Sequence, residues 1–187
     1  MMRGMSICAS LLLLSVWMVG CGQTTEQGTP ESVQPAEPAS DMASSATMTL
    51  QPTEGNTAAG TLNLMTMGGG VHFTGTVTGL PPGIHGFHIH ETGDCSASDG
   101  TSAGGHFNPT GAAHGGPQSA EHHLGDLGNI TADASGKAEV NIHAGVTLGE
   151  GTNSIMGKAI IVHAGEDDLT TQPTGNAGAR LACGVIP

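Results

Sequence analysis

Short segments with alternating apolar and polar residues occupy much of the chain after about residue 44. Leu62 and Leu64 alternate with threonine and asparagine, and Val71, Phe73 and Val77 alternate with histidine and threonine. Because successive side chains of a β-strand point to opposite faces, a period of two predicts half-buried strands. Further strands are predicted near residues 47–52, 84–90, 137–142, 155–163 and 180–186. Glycine, proline and asparagine turns separate these segments, so the sequence predicts an all-β domain, either a sandwich or a barrel.

The first 43 residues have a different pattern. Residues 1–20 contain an apolar run that is too short for a comfortable membrane span and is typical of an export signal. The run ends in MVGC, which resembles the lipobox of bacterial lipoproteins and marks Cys21 as an acylation site. An ordinary secretory signal, cleaved elsewhere, is the alternative. Residues 21–43 are rich in Pro, Ser, Thr, Gln and Glu and predict a flexible tether, which leaves residues 44–187 as the folded domain.

The composition limits which residues can form the core and which classes of partner the protein can bind. The chain of 187 residues has 31 glycines, no tyrosine, three phenylalanines and one tryptophan, so aliphatic residues must form most of the core. Its formal net charge is -12, from 4 basic and 16 acidic residues. Nucleic-acid binding depends on Lys and Arg, so we expect no nucleic-acid partner. The ten histidines indicate metal binding instead.

A glycine-rich stretch over residues 104–129 concentrates the residue types that bind metals. It contains four histidines and a carboxylate in metal-ligand spacing: His106, His114, His122, His123 and Asp126. Imidazole nitrogens and carboxylate oxygens are the ligands that a tetrahedral zinc site takes. The sequence therefore predicts a metal-binding loop over this stretch.

Three histidines on predicted strands add to this loop. His88 and His90 lie two residues apart, so both project to one face of their strand while the apolar residues beside them face the core. His163 ends a second apolar strand. A lone histidine on a strand is more often a surface residue, and His72 and His143 are interpreted in that way.

Six motifs, in a fixed order, resemble the copper/zinc superoxide dismutase family. They are GFHIHETGDC, GGHFNP, HGGP, HxGDLGN, the aspartate pair after His163, and GNAGARLACGVI. The match runs from about residue 80 to residue 186. The extra residues SASDGTSAGG before His106, together with the export signal, resemble the family's bacterial periplasmic branch. The resemblance implies an eight-stranded Greek-key β-barrel with long metal-binding loops.

The resemblance also implies the metal ligands. The implied copper ligands are His88, His90, His106 and His163. The implied zinc ligands are His106, His114, His123 and Asp126. His106 belongs to both sets and would bridge the two metals. Only His123 of the adjacent pair stands three residues before the aspartate of the motif, so His122 is interpreted as a neighbour of the site.

Four more residues match positions around the metals in that family. Asp167 matches an aspartate that links a copper-ligand histidine to a zinc-ligand histidine, which fixes the orientation of both rings. Arg180 matches the arginine beside the copper and would hold the anionic substrate. Cys95 and Cys183 match the intrasubunit disulfide, and an oxidising compartment favours their pairing.

The implied function is the dismutation of superoxide to oxygen and hydrogen peroxide, with copper cycling between Cu(II) and Cu(I). His106 and Arg180 would be the catalytic residues, with His106 supplying a proton. We expect an exported protein, anchored to a membrane through Cys21, that is a monomer or a homodimer. Two alternatives are a non-enzymatic protein that buffers or senses copper and zinc at the cell surface, and a β-domain whose histidines only solvate loops.

Overall fold

The computed structural model describes residues 44–187, so the predicted export signal, the tether and Cys21 lie outside the described residues. The described residues form eight strands: β1 (Ser45–Pro52), β2 (Ala59–Met67), β3 (Gly70–Thr78), β4 (Gly83–His90), β5 (Asp126–Ala132), β6 (Ala138–Ala144), β7 (Ala159–His163) and β8 (Arg180–Val185). One short 3-10 helix, Thr101–Ala103, lies between β4 and β5. Within residues 44–187, no helix has the length and apolar character needed to cross a membrane.

The strands close into a barrel in the order β1-β2-β3-β6-β5-β4-β7-β8, and every neighbouring pair is antiparallel. β4, β5 and β6 are consecutive neighbours, whereas β3 lies beside β6 instead of β4. This crossing is the Greek-key connection. The predicted all-β, eight-stranded Greek-key barrel is confirmed.

The inward face of each strand carries the apolar half of the predicted alternation. Leu62 and Leu64 on β2, Phe73 on β3, and Phe87 and Ile89 on β4 are all fully buried in one core cluster. Burying one such side chain stabilises the fold by about 1.5–3 kcal/mol relative to leaving it exposed. The core therefore holds β4 firmly, and the opposite face of that strand is available for chemistry.

Two sequence-based boundaries are wrong. The loop predicted to extend to residue 129 ends earlier, because Asp126–Ala132 forms β5, whose residues are buried on both faces and show no alternation. The strand predicted over residues 155–163 begins only at Ala159. Gly157 has a φ of 68°, a left-handed conformation that an extended strand does not accommodate.

A disulfide between Cys95 and Cys183 joins the loop after β4 to β8, as predicted. The Cα atoms are 5.8 Å apart and the two residues are separated by 88 positions in the chain. Cross-linking positions so distant in sequence restricts the unfolded chain and is worth about 2–5 kcal/mol in domains of this kind. The bond fixes this loop against the strand that begins at Arg180.

Candidate metal centre

Three parts of the chain supply the six histidines of the predicted site. β4 supplies two histidines, the end of β7 supplies one, and the long connection between β4 and β5 supplies three. All six side chains are buried: His88, His90, His106, His114, His123 and His163. Two carboxylates lie beside these histidines, Asp126 and Asp167, and each is only 1% exposed.

The first group contains the four histidines predicted to bind copper. One ring nitrogen from each of His88, His90, His106 and His163 lies within 4.8 Å of the others. The Nε2 atoms of His90 and His163 are 3.3 Å apart, and the rings of His88 and His106 have centroids 4.1 Å apart. Four imidazoles therefore converge on one small volume.

The opposite nitrogen of three of these rings faces a fixed hydrogen-bond acceptor. The contacts are His88 Nε2 to Asp167 Oδ2 at 2.7 Å, His90 Nδ1 to the Gly104 carbonyl at 2.9 Å, and His163 Nδ1 to the Gly178 carbonyl at 3.2 Å. A neutral imidazole that donates from one nitrogen carries a lone pair on the other. These outer contacts therefore leave the inward nitrogens free to act as ligands.

The second group is centred on Asp126. Its Oδ1 lies 2.7 Å from His106 Nδ1 and 3.1 Å from both His114 Nδ1 and His123 Nδ1. Its Oδ2 accepts hydrogen bonds from the backbone N–H groups of Gly115 and His123. Burial alone would raise the pKa of Asp126, but the bonds from His106 and these two N–H groups outweigh it and hold the pKa below its usual range.

Among the described residues, three buried nitrogens in these groups make no hydrogen bond: His88 Nδ1, His106 Nε2 and His114 Nδ1. The last of these lies 3.1 Å from Asp126 Oδ1 but without the geometry of a hydrogen bond. An unsatisfied buried polar atom costs about 1–3 kcal/mol. All three atoms belong to the converging groups, where a cation would satisfy them. Three imidazoles with one carboxylate match tetrahedral zinc, and four imidazoles suit copper.

Burial keeps three of the copper-type imidazoles neutral. Desolvation lowers the pKa of His88 to about 4, of His163 to about 3 and of His90 to about 2. Metals bind the unprotonated ring, so these side chains are in the ligand-competent form at neutral pH.

Asp167 connects the two groups through its two oxygens. Oδ2 contacts His88, and Oδ1 lies 3.0 Å from His114 Nε2. Its backbone is held by the amide of Asn129, which donates to the Asp167 carbonyl at 2.9 Å and accepts from its N–H at 2.8 Å. Gln172 makes the same double contact with the backbone of His114, at 2.8 and 2.9 Å. Sequence analysis missed both amides.

His85 is a further residue that sequence analysis missed. It is 2% exposed, and its two ring nitrogens lie 2.8 Å from the carbonyl oxygens of His163 and Pro81. The ring therefore fixes the backbone of His163 against the loop before β4. The available signal was a third histidine two residues before Phe87, on the face of the strand that the alternation directs toward the core.

Arg180 is held in place beside the first group. Its Nη1 and Nη2 donate to the carbonyls of Gly100 and Gly104, each at 2.7 Å. The Gly104 carbonyl also accepts from His90, so one backbone group orients both side chains. Arg180 lines a cavity of about 340 Å³ together with Asp99.

His122 lies outside both groups. The ring is half-buried, and its Nδ1 donates to the Ser119 carbonyl at 3.0 Å. The ring of His123, in contrast, is buried against Asp126. The structure thus separates two histidines that are adjacent in sequence.

Known proteins resemble this chain in sequence and in structure. The family model for copper/zinc superoxide dismutase (SODC) matches residues 58–186. A superoxide dismutase [Cu-Zn] 2 from Mesembryanthemum crystallinum is 46% identical over 138 residues, which cover 70% of this chain and 88% of that protein. An extracellular superoxide dismutase [Cu-Zn] from Onchocerca volvulus is 49% identical over 122 residues, 60% of each chain. The crystal structure of the clock protein EA4 superimposes with a TM-score of 0.69 at 40% identity, covering 77% of this chain and 94% of that one. By these matches, this chain belongs to the copper/zinc superoxide dismutase family.

Proposed function

We propose that the two buried groups are the metal sites at which this protein dismutates superoxide. His88, His90, His106 and His163 would hold copper. His106, His114, His123 and Asp126 would hold zinc, with His106 between the metals. The observation that carries this assignment is the orphaned set of buried nitrogens, because each lies in a converging group while the other nitrogen of its ring faces a carboxylate.

Copper, when bound, supplies a one-electron couple that oxidises one superoxide to oxygen and reduces the next to hydrogen peroxide, while zinc supplies charge and structure without redox chemistry. The chain's own contribution begins at His106. Its Nδ1 is held by Asp126, and its Nε2 is buried without a partner. Nε2 is therefore the atom that can hold a proton and transfer it to the reduced substrate.

Arg180 would position the anion. The protein is strongly acidic overall, so a negatively charged substrate is repelled on average, and only a local positive field can attract it. The carbonyls of Gly100 and Gly104 fix the guanidinium, which removes the need to order this side chain when the anion arrives. Asp99 opposes this field because it lines the same cavity and interacts electrostatically with Arg180.

The test combines metal content with superoxide dismutation on one sample of the full chain, with its disulfide formed. We expect one copper and one zinc per chain and rapid turnover. Arg180→Ala should keep both metals but lower the rate at low salt by at least about tenfold and flatten its salt dependence, since a focused positive field accelerates encounter by about 10–1,000-fold. Full metal loading of the unsubstituted chain without turnover would instead favour the metal-buffering function.

Asp99→Asn is the matched control for Arg180→Ala, because it removes a negative instead of a positive charge from the same cavity. Asp99 is exposed and therefore screened by salt, so its removal should raise the low-salt rate only modestly, on the order of twofold. A fall in rate with Asp99→Asn would contradict the electrostatic role given to this cavity.

We propose further that the protein is exported, belongs to the bacterial exported branch and is anchored to a membrane through Cys21. The MVGC sequence and the ten residues between Cys95 and His106 support this, as does the similarity to an extracellular dismutase. Acylation should place the full chain in the membrane fraction, and Cys21→Ser should release it. Cys8→Ser is the control and should not change fractionation. A Cys21→Ser protein that stays membrane-bound and retains radiolabelled palmitate would contradict the anchor.

A further inference from the structure

The outer face of the barrel carries two exposed methionines at one end of β2. Met65 is 51% exposed and Met67 is 49% exposed. The two are separated by one residue on a strand, so they project to the same outward face. Neither has a role in the barrel core, which the alternate residues Leu62 and Leu64 fill.

Strand register places two histidines beside these methionines. Met65 pairs with His72 across β2 and β3, and His72 pairs with His143 across β3 and β6. Directly opposed residues on antiparallel strands have Cβ atoms about 4.5–5.5 Å apart and share a face. Met65, His72 and His143 therefore form a continuous row across three strands.

The ring of His143 extends from this row toward Met67. Met67 pairs with Gly70 on β3, and a Cβ atom added to Gly70 would lie 2.8 Å from His143 Cε1. The missing side chain at Gly70 thus leaves the room that the ring occupies. His143 Nε2 also donates to the Met67 carbonyl at 3.0 Å. The face therefore holds two methionine–histidine pairs side by side.

Both imidazoles have their Nε2 atoms engaged with oxygen. His72 Nε2 lies 2.6 Å from Asn141 Oδ1, and His143 Nε2 bonds to the Met67 carbonyl. A neutral ring that donates from Nε2 has an unprotonated Nδ1. Among the described residues, neither Nδ1 atom has a hydrogen-bond partner. Such outer bonds hold metal-binding histidines in the required tautomer.

We propose that Met65, Met67, His72 and His143 form a copper(I) site on the outer face of the barrel. Thioether sulfur is a soft ligand that selects Cu(I), and imidazole also suits copper. The negative charge of the protein favours a cation at its surface. None of the four residues belongs to either buried group, so this site goes beyond the proposed function and is independent of it.

The test uses the full chain with Cys8 and Cys21 replaced by serine, so that no free thiol competes for Cu(I). This protein, with copper and zinc already bound, is titrated anaerobically with Cu(I) against a colorimetric Cu(I) chelator. We expect one further Cu(I) per chain, with sulfur ligands visible by X-ray absorption. The double substitution Met65→Leu/Met67→Leu should weaken this binding by at least about tenfold, because even residues that only support a ligand change metal affinity by about 10–100-fold. His72→Gln/His143→Gln should weaken it similarly.

Met156→Leu is the matched control, because Met156 is 43% exposed but lies outside this row. It should bind the additional Cu(I) like the unsubstituted chain. Metal content of the buried sites and dismutation should be the same in all variants, which separates this test from that of the proposed function. Absence of the additional Cu(I), or its persistence in Met65→Leu/Met67→Leu, would overturn the proposal.

Discussion

Asparagine in place of His123 is expected to release zinc, whereas asparagine in place of the adjacent His122 should leave both metals bound. His123 is 6% exposed, and its Nδ1 lies 3.1 Å from the Asp126 oxygen that the other two zinc-type histidines also approach. His122 instead donates to the Ser119 carbonyl. Removing a partner that only supports a ligand weakens metal affinity by about 10–100-fold. Loss of the ligand itself should reach at least the upper end, about 100-fold.

The measurement is zinc affinity by chelator competition, with copper content determined on the same samples. Since His123 lies outside the copper-type group, His123→Asn should still bind copper. Far-UV circular dichroism would verify that each variant is folded. Equal zinc affinity in His123→Asn and in the unsubstituted chain, or zinc loss in His122→Asn, would show that the second group is not assigned correctly.

The alternation of apolar and polar residues predicted most of the strands but not all of them. The period of two placed Phe87 and Ile89 in the core, and the structure agrees because one face of β4 packs inward while the other carries His88 and His90. The period of two did not predict β5, because this strand is buried on both faces and begins with the polar residue Asp126. A buried strand that starts inside a metal-binding motif has no periodic signal to detect.

The contacts that hold the site in shape depend on tertiary pairing. Asn129 and Gln172 each bind the backbone of a residue far away in sequence, at separations of 38 and 58 positions. Side-chain amides are common in loops, so nothing local to either residue indicates its partner. His85 is similar, because its role depends on the carbonyl of His163, 78 positions away. Sequence spacing therefore predicted which side chains converge, but not the amide and imidazole contacts that hold their backbone.

Acid should destabilise the metal-free protein well before its carboxylates are protonated. In the unfolded chain histidine has its ordinary pKa of 6.5, whereas burial lowers the pKa of His88 to about 4, of His163 to about 3 and of His90 to about 2. Between these values the unfolded state binds more protons than the folded state. The contribution of these histidines to the free energy of unfolding is therefore fully present above about pH 6.5 and is lost as the pH decreases.

The pKa of Asp126 and that of Asp167 are both lowered from 3.8, because hydrogen bonds outweigh their burial, so their stabilising contributions are lost only below that value. The window from about pH 6.5 to about pH 4 therefore belongs to the histidines. His88 alone, shifted from 6.5 to about 4, should lower the free energy of unfolding by about 3 kcal/mol at the lower limit of this window, at about 1.4 kcal/mol for each pKa unit.

Denaturant unfolding of the metal-free, disulfide-bonded protein across this window measures the loss. His72→Gln is the control and should give the same pH dependence, since its ring lies on the outer face. A free energy of unfolding that stays constant across the window would mean that these imidazoles take up protons over the same pH range in the folded and unfolded states, so that burial does not lower their pKa.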